Sequence, residues 1–177
     1  MILGLDISTS ITGITLLSED GKMLVNKCVN TKNKKKYPTV LKVADAIEEG
    51  LGEIEREDVR YIFIEPPLLS FKKGFSSATT LSLLSKINGI VSYIAYKKYR
   101  MEPEYFEART ARKICGITIE KGADVKARVV EEVKKLEPYF LIEYTKEGNL
   151  KVGTADRADS YVQALAGLRE LRRKNVI

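Results

Sequence analysis

Histidine is absent from all 177 residues of this chain. That absence removes Ser–His and Cys–His nucleophile pairs, imidazole general bases and the usual histidine-bearing zinc sites together, so any catalysis has to run on carboxylates and lysines. Cysteine is scarce: Cys28 and Cys115 stand far apart without a C-x-x-C spacing. They support neither a zinc ribbon nor a disulfide framework, and both read as reduced, structural thiols. Long hydrophobic runs are missing too, and none approaches the roughly eighteen apolar residues that suggest a membrane span. The opening Met1-Ile-Leu-Gly-Leu-Asp6 has no basic region ahead of its apolar stretch, so it reads as a strand, with no signal peptide, and a cytoplasmic location is expected. Internal repeats and composition breaks are also lacking, which predicts a single domain over residues 1–177.

What is present is a modest excess of positive charge. Lys and Arg total 30 against 24 Asp and Glu, for a net charge of +6 and a pI near 9.2. This balance favours a polyanionic partner and points weakly to nucleic acid.

The apolar pattern predicts an α/β chain. Ile2 to Ile7, Ile11 to Leu17 and Met23 to Val29 are short apolar runs separated by a Ser-Thr-Ser step and by the turn Glu19-Asp20-Gly21-Lys22, which predicts a three-stranded antiparallel meander. After the basic stretch Lys32 to Lys36, apolar residues from Val40 to Ile54 recur at helical spacing. This crossover helix leads to a buried-type strand, Tyr61 to Glu65, stopped by Pro66-Pro67 and expected to pair in parallel with the first. A loop through Phe71, Lys72, Lys73 and Phe75 precedes a helix from about Thr79 to Tyr96. A short strand near Tyr105 to Glu107 follows, then a basic helix with Arg109, Arg112 and Lys113, and another helix from about Asp124 to Leu136. Residues 139–153 suggest an extra hairpin, and the last helix is expected from about Asp156 to Arg173.

Three places carry carboxylates that packing alone would not choose. Asp6 sits in an apolar strand, pointing to the opposite face from Leu5 and Ile7, and a buried carboxylate needs a cation or donors. The alternative is a cap on the Ser8-Thr9-Ser10 turn. Glu65 ends the neighbouring strand, where a merely solvated glutamate is the competing reading. Asp156 and Asp159 share one side of the first turn of the last helix. The apolar stripe Ala158, Val162, Leu165 and Leu168 lies on another side, so the pair is expected to look away from the core. Acids also suit any helix N-terminus. Carboxylates gathered from different elements are the hard oxygen ligands that Mg²⁺ and Mn²⁺ prefer, and such a cluster can share two ions that clamp a phosphodiester.

Leu5-Asp-Ile-Ser-Thr-Ser-Ile-Thr-Gly13, Phe63-Ile-Glu-Pro-Pro67, Gly122-Ala-Asp-Val-Lys126 and Ala155-Asp-Arg-Ala-Asp-Ser-Tyr161, in that order and over nearly the whole chain, resemble the RuvC family of Holliday-junction resolvases. The resemblance implies a ribonuclease H-like fold, a central mixed five-stranded sheet flanked by helices. It implies that Asp6, Glu65, Asp156 and Asp159 bind two Mg²⁺ ions, with Mn²⁺ as a substitute, and that Lys126 lies near the scissile phosphate. It also implies a homodimer cutting two opposed strands of branched DNA, with the Thr79 to Tyr96 helix as its interface. The products would be 5′-phosphate and 3′-hydroxyl ends, and the setting bacterial or phage-infected cytoplasm. Residues 139–153 exceed the short connection common in the family, which leaves open whether four-way junctions, forks or flaps are preferred. Phe71 and Phe75 among Lys72 and Lys73 suit stacking on unpaired bases at a branch, and Arg109, Arg112 and Lys113 suit phosphate contacts. The competing functions are a branched-DNA-binding module without catalysis and an ATPase of the actin-like or sugar-kinase type. The latter needs a duplicated fold that 177 residues do not accommodate.

Overall fold

The computed structural model describes residues 1–67 and 78–177. In chain order its elements are β1 (Ile2–Asp6), β2 (Ile11–Leu17), β3 (Met23–Asn30), α1 (Val40–Leu51), a 3₁₀ turn (Arg56–Asp58), β4 (Tyr61–Ile64), α2 (Ala78–Tyr99), β5 (Glu104–Tyr105), α3 (Ala108–Ile114), α4 (Val125–Leu136) and α5 (Thr154–Arg173). The strands form one sheet in the order β3-β2-β1-β4-β5. The meander β1-β2-β3 is antiparallel, whereas β4 lies parallel to β1 and β5 parallel to β4. The sheet is therefore mixed, as expected.

Alternation along the strands divides the core in two. Leu3, Leu5, Ile14, Leu16, Ile62 and Ile64 face α1 and α2. Ile2, Leu17 and Phe63 face the opposite way, toward Ala111 of α3, Val129, Val130 and Val133 of α4, and most of α5. Gly4 lies on this second face, where a Cβ would run into the Ser160 carbonyl and the Ala164 amide of α5, so the missing side chain lets the helix backbone rest on the strand.

α5 departs from the simple amphipathic reading. It is buried along nearly its whole length from Thr154 to Leu168, its polar residues Arg157, Ser160 and Gln163 included. Those residues have tertiary partners. Asn26 Nδ2 donates to Thr15 Oγ1 (2.8 Å) and to the Arg157 carbonyl (3.0 Å), the Thr15 and Ser160 hydroxyls are 2.8 Å apart, and Ser160 Oγ donates to the Arg157 carbonyl (2.9 Å). The network pins the first two turns of α5 to β2 and β3.

Some boundaries move for physical reasons. β1 stops at Asp6, before the Ser8 hydroxyl folds the chain by donating to the Ile11 carbonyl (2.6 Å). β5 is only two residues long, because the next residue, Phe106, turns inward to stack on Phe63 at 5.3 Å. The hairpin expected in 139–153 shrinks to one bridge between Tyr144 and Leu150. α5 starts two residues early, at Thr154. Among the described residues, no helix is long and apolar enough to cross a membrane.

Candidate metal centre and nucleic-acid interface

β1 and β4 run parallel with Leu5 opposite Ile64, so the following residues, Asp6 and Glu65, emerge side by side at the same end of the sheet. The Glu65 amide donates to the Leu5 carbonyl (3.3 Å), and from the other side Asn88 Nδ2 of α2 donates to the Glu65 carbonyl (2.8 Å). Across the other edge of β1, Asp6 pairs with Gly13 of β2. A Cβ on Gly13 would overlap the carbonyl of Asp156, so β2 and the first turn of α5 meet backbone to backbone. This contact sets Asp156, and Asp159 one turn further on, beside the strand-end carboxylates.

The four carboxylates line one open cleft of about 630 Å³, together with Ser8, Ser10, Lys32, Asp124 and Lys126. Asp124 caps α4, accepting from the Lys126 amide (3.0 Å) and the Ala127 amide (3.3 Å), and so fixes where Lys126 begins its helix. Asp156 and Asp159 are less buried than Arg157, Ala158 and Ser160 beside them and face the cleft, away from the core. Their helix is buried on almost every side, and they reach this cleft because it opens at the helix's N-terminal end.

Electrostatically the cleft is in conflict with itself. Burial, then the charges of Asp159, Glu65 and Asp156, hold the Asp6 carboxyl well above the ordinary aspartate range, against a lowering pull from Lys126. Glu65 is pushed up to about 7, by burial first and by Asp159 next, with Arg112 pulling the other way. Asp159 rises to about 6 through burial, opposed by Arg112 and Lys126. Asp156 is raised by burial against Lys126 and Lys32. Asp6, Glu65 and Asp159 accept no side-chain hydrogen bond and enter no salt bridge among the described residues. Hard oxygen donors that repel one another and stay raised despite the nearby cations are chemically suited to divalent cations. Among the described residues, no three acidic or thiol side chains are drawn together tightly enough to cage an ion, so the donor set fits by its chemistry and lines an open groove.

Arg109, Arg112 and Lys113 of α3 border a neighbouring cavity of about 490 Å³. Arg109 and Lys113 are exposed, while the half-buried Arg112 brings its charge to bear on Glu65 and Asp159. Phe71, Lys72, Lys73 and Phe75 lie outside the described residues. Sequence reasoning missed Asn88, whose place on the apolar face of α2 was a readable signal, and it missed the position of Lys32 at the cleft.

No family profile matches the sequence, and no curated protein sequence does. Solved structures do match. RuvC from Thermus thermophilus superposes with a TM-score of 0.65 at 15% identity, over 98% of this chain and 96% of that one. The same organism's RuvC in complex with a Holliday junction substrate gives 0.66 at 13% identity, over 97% and 94%. The yeast mitochondrial Holliday junction resolvase Ydc2 gives 0.63 at 15%, over 99% and 80%. The fold is ribonuclease H-like, as in RuvC. In this RuvC-like fold the carboxylate cleft lies where the C-terminal ends of β1 and β4 meet the N-terminus of α5.

Proposed function

We propose that this chain is a divalent-metal-dependent endonuclease that cuts branched DNA, Holliday junctions among them. The observation that carries this reading is the meeting of Asp6, Glu65, Asp156 and Asp159, remote in sequence, in one cleft without a salt-bridge partner for Asp6, Glu65 or Asp159 among the described residues. Likeness to resolvase structures over nearly the whole chain supports branched DNA as the substrate class.

Asp6, on the central strand and flanked by the other three carboxylates, would hold two Mg²⁺ ions together with Glu65, Asp156 and Asp159, with Mn²⁺ as a substitute. Bound divalent ions supply Lewis-acid stabilisation to the attacking and departing oxygens of a phosphodiester, leaving 5′-phosphate and 3′-hydroxyl ends. Lys126, exposed at the cleft and acting on Asp6, Asp156 and Asp159, suits neutralising charge that develops on the phosphate. Arg109, Arg112 and Lys113 suit holding a neighbouring stretch of backbone, with Phe71, Lys72, Lys73 and Phe75 as the contact to the branch point. Symmetric cutting of two strands calls for a homodimer, and α2, with Tyr93 and Tyr96 exposed, is its proposed interface.

The test is cleavage of synthetic four-way, three-way, flap and linear duplex DNA with and without Mg²⁺ or Mn²⁺. Cutting of a branched substrate that stops on chelation is expected. Binding of branched DNA without cutting under either metal would replace this reading with a binding module.

A further inference from the structure

A second cavity, of about 380 Å³, lies on the other side of the sheet end, between α2 and the loop joining β3 to α1. Its floor is apolar, from Val40, Val43 and Leu83, and its rim is polar, from Ser10, Lys34 and Tyr37. Ser10 lines both this cavity and the carboxylate cleft, so the two are neighbours across a single turn. That turn is firmly held: Ser8 Oγ accepts from the Ser10 amide (3.2 Å) and the Ile11 amide (2.9 Å), and the Ser10 carbonyl accepts from the Thr31 amide (2.7 Å). Lys34 Nζ donates to the Thr9 carbonyl (3.2 Å), which brings an ammonium to the rim.

The loop itself is a run of positive charge without ion pairs among the described residues. Lys32, Lys34, Lys35 and Lys36 are all exposed, no Asp or Glu stands between Asp20 and Asp45, and none of the four lysines enters a salt bridge among the described residues. Packed cations without acidic partners repel one another and create a field that a polyanion relieves. An apolar floor is of no use to a phosphate, yet it suits the flat face of a base, and Tyr37 offers an aromatic surface with the Lys36 ammonium 5.1 Å from its ring centre. The volume falls in the range of small-molecule sites, roughly 300–1,000 Å³.

We propose that this cavity receives one unstacked nucleotide of the DNA strand that leaves the carboxylate cleft, its base against Tyr37, Val40 and Leu83 and its phosphates along Lys34 and Lys36. The proposal rests on the nuclease reading and adds to it a path for the strand and a reason to prefer branched over continuous DNA. Only DNA that already has unpaired or easily unstacked bases fills the cavity without the expense of breaking a duplex.

The experiment is photo-crosslinking of Asp6→Asn protein, with Mg²⁺, to four-way junctions carrying 5-iodo-2′-deoxyuridine at successive positions around the branch, mapped by mass spectrometry. A crosslink to Tyr37 from one position near the branch is expected. Leu83→Trp, which fills the cavity, is expected to abolish that crosslink and weaken junction affinity about tenfold while leaving linear duplex affinity unchanged. Because a tryptophan there also risks disturbing α2, the exposed pair Lys34→Ala and Lys36→Ala is measured beside it, and should lower the slope of log affinity against log salt by about 2. Crosslinks that never reach Tyr37, or junction affinity unchanged in both variants, overturn the proposal. Wild-type cutting of the same junction reports on the cleft separately. Cutting without a Tyr37 crosslink removes the cavity's role alone, and a Tyr37 crosslink without cutting removes the nuclease reading alone.

Discussion

Gly13 and Asp156 touch through their backbones: the Asp156 carbonyl occupies the space where a side chain on Gly13 would begin. Since Gly13 is also the register partner of Asp6, this contact joins the central strand, its neighbour and the helix that carries two of the four carboxylates. Gly13→Ala has to push the first turn of α5 away from the sheet. A loss of about 1–3 kcal/mol in urea unfolding is expected, as for other overpacked sites. The cutting rate should fall by about 100-fold, because reacting groups displaced by an ångström lose that much. A Gly13→Ala protein that cuts normally would show that the seating of α5 does not set the site.

Asp6→Asn should abolish cutting while leaving junction binding in place. It should also stabilise the metal-free protein. Asp6, Glu65 and Asp159 are all held above their ordinary values, with Glu65 at about 7 and Asp159 at about 6. Groups raised in the folded state favour folding while protonated, and that stability is lost as pH rises from about 4 through about 7. Metal-free wild type should therefore melt at a higher temperature at pH 5.5 than at pH 8, at about 2–4 °C per kcal/mol for a chain of this size. Mg²⁺ should reverse the trend, because cations bind the deprotonated form. Thermal melts across this window with and without Mg²⁺ check both signs, and a flat metal-free profile would refute the conflict described in the cleft.

Arg112 pulls Glu65 and Asp159 down toward their ionised forms. Arg112→Ala releases that pull, so more of each carboxylate is protonated at a given pH. The acidic limb of the pH–rate profile should move to higher pH, and Arg112→Lys should restore most of it. If the residue also contacts DNA, the salt slope of binding falls by about 1 in the Ala variant. An unshifted limb would place Arg112 outside the cleft's electrostatics.

Arg157 stands between Asp156 and Asp159 in sequence but does other work. Its Nη2 donates to the Leu141 carbonyl (3.0 Å) and to Glu143 Oε2 (2.9 Å), and its guanidinium lies 5.4 Å from the centre of the Phe140 ring. It thus straps residues 140–143 onto α5. Arg157→Ala is expected to cost about 2–4 kcal/mol, near the lower end for breaking a buried pair because Glu143 stays partly hydrated. Arg157→Lys should recover little, since one ammonium does not reproduce a planar fork. Chemical denaturation measures this directly.

The sheet was legible because strand alternation is a short-range signal: Leu3, Leu5, Ile62 and Ile64 on one face and Ile2 and Phe63 on the other follow from a period of two. Asp6 was legible as an anomaly for the same reason. The enclosure of α5 was not, because its buried polar residues Arg157, Ser160 and Gln163 read as a solvated side, and only the partners Asn26 and Thr15, more than a hundred residues away, reveal otherwise. Arg112 read as one member of a surface basic group, and nothing local distinguishes it from Arg109. Residues 139–153 were hard for the opposite reason: their single bridge leaves too little regular backbone to impose a period.

α5 is both the most enclosed helix of the molecule and the bearer of two carboxylates of the cleft. Segments that close over ligands usually open on their own at little expense, but this one has no such freedom, because unwinding it exposes the centre of the protein. On that wall, losing the site and losing the native state are one event. Amide protons of α5 beyond its first turn should accordingly exchange only through global opening, and the competent fraction of molecules should track the folded fraction.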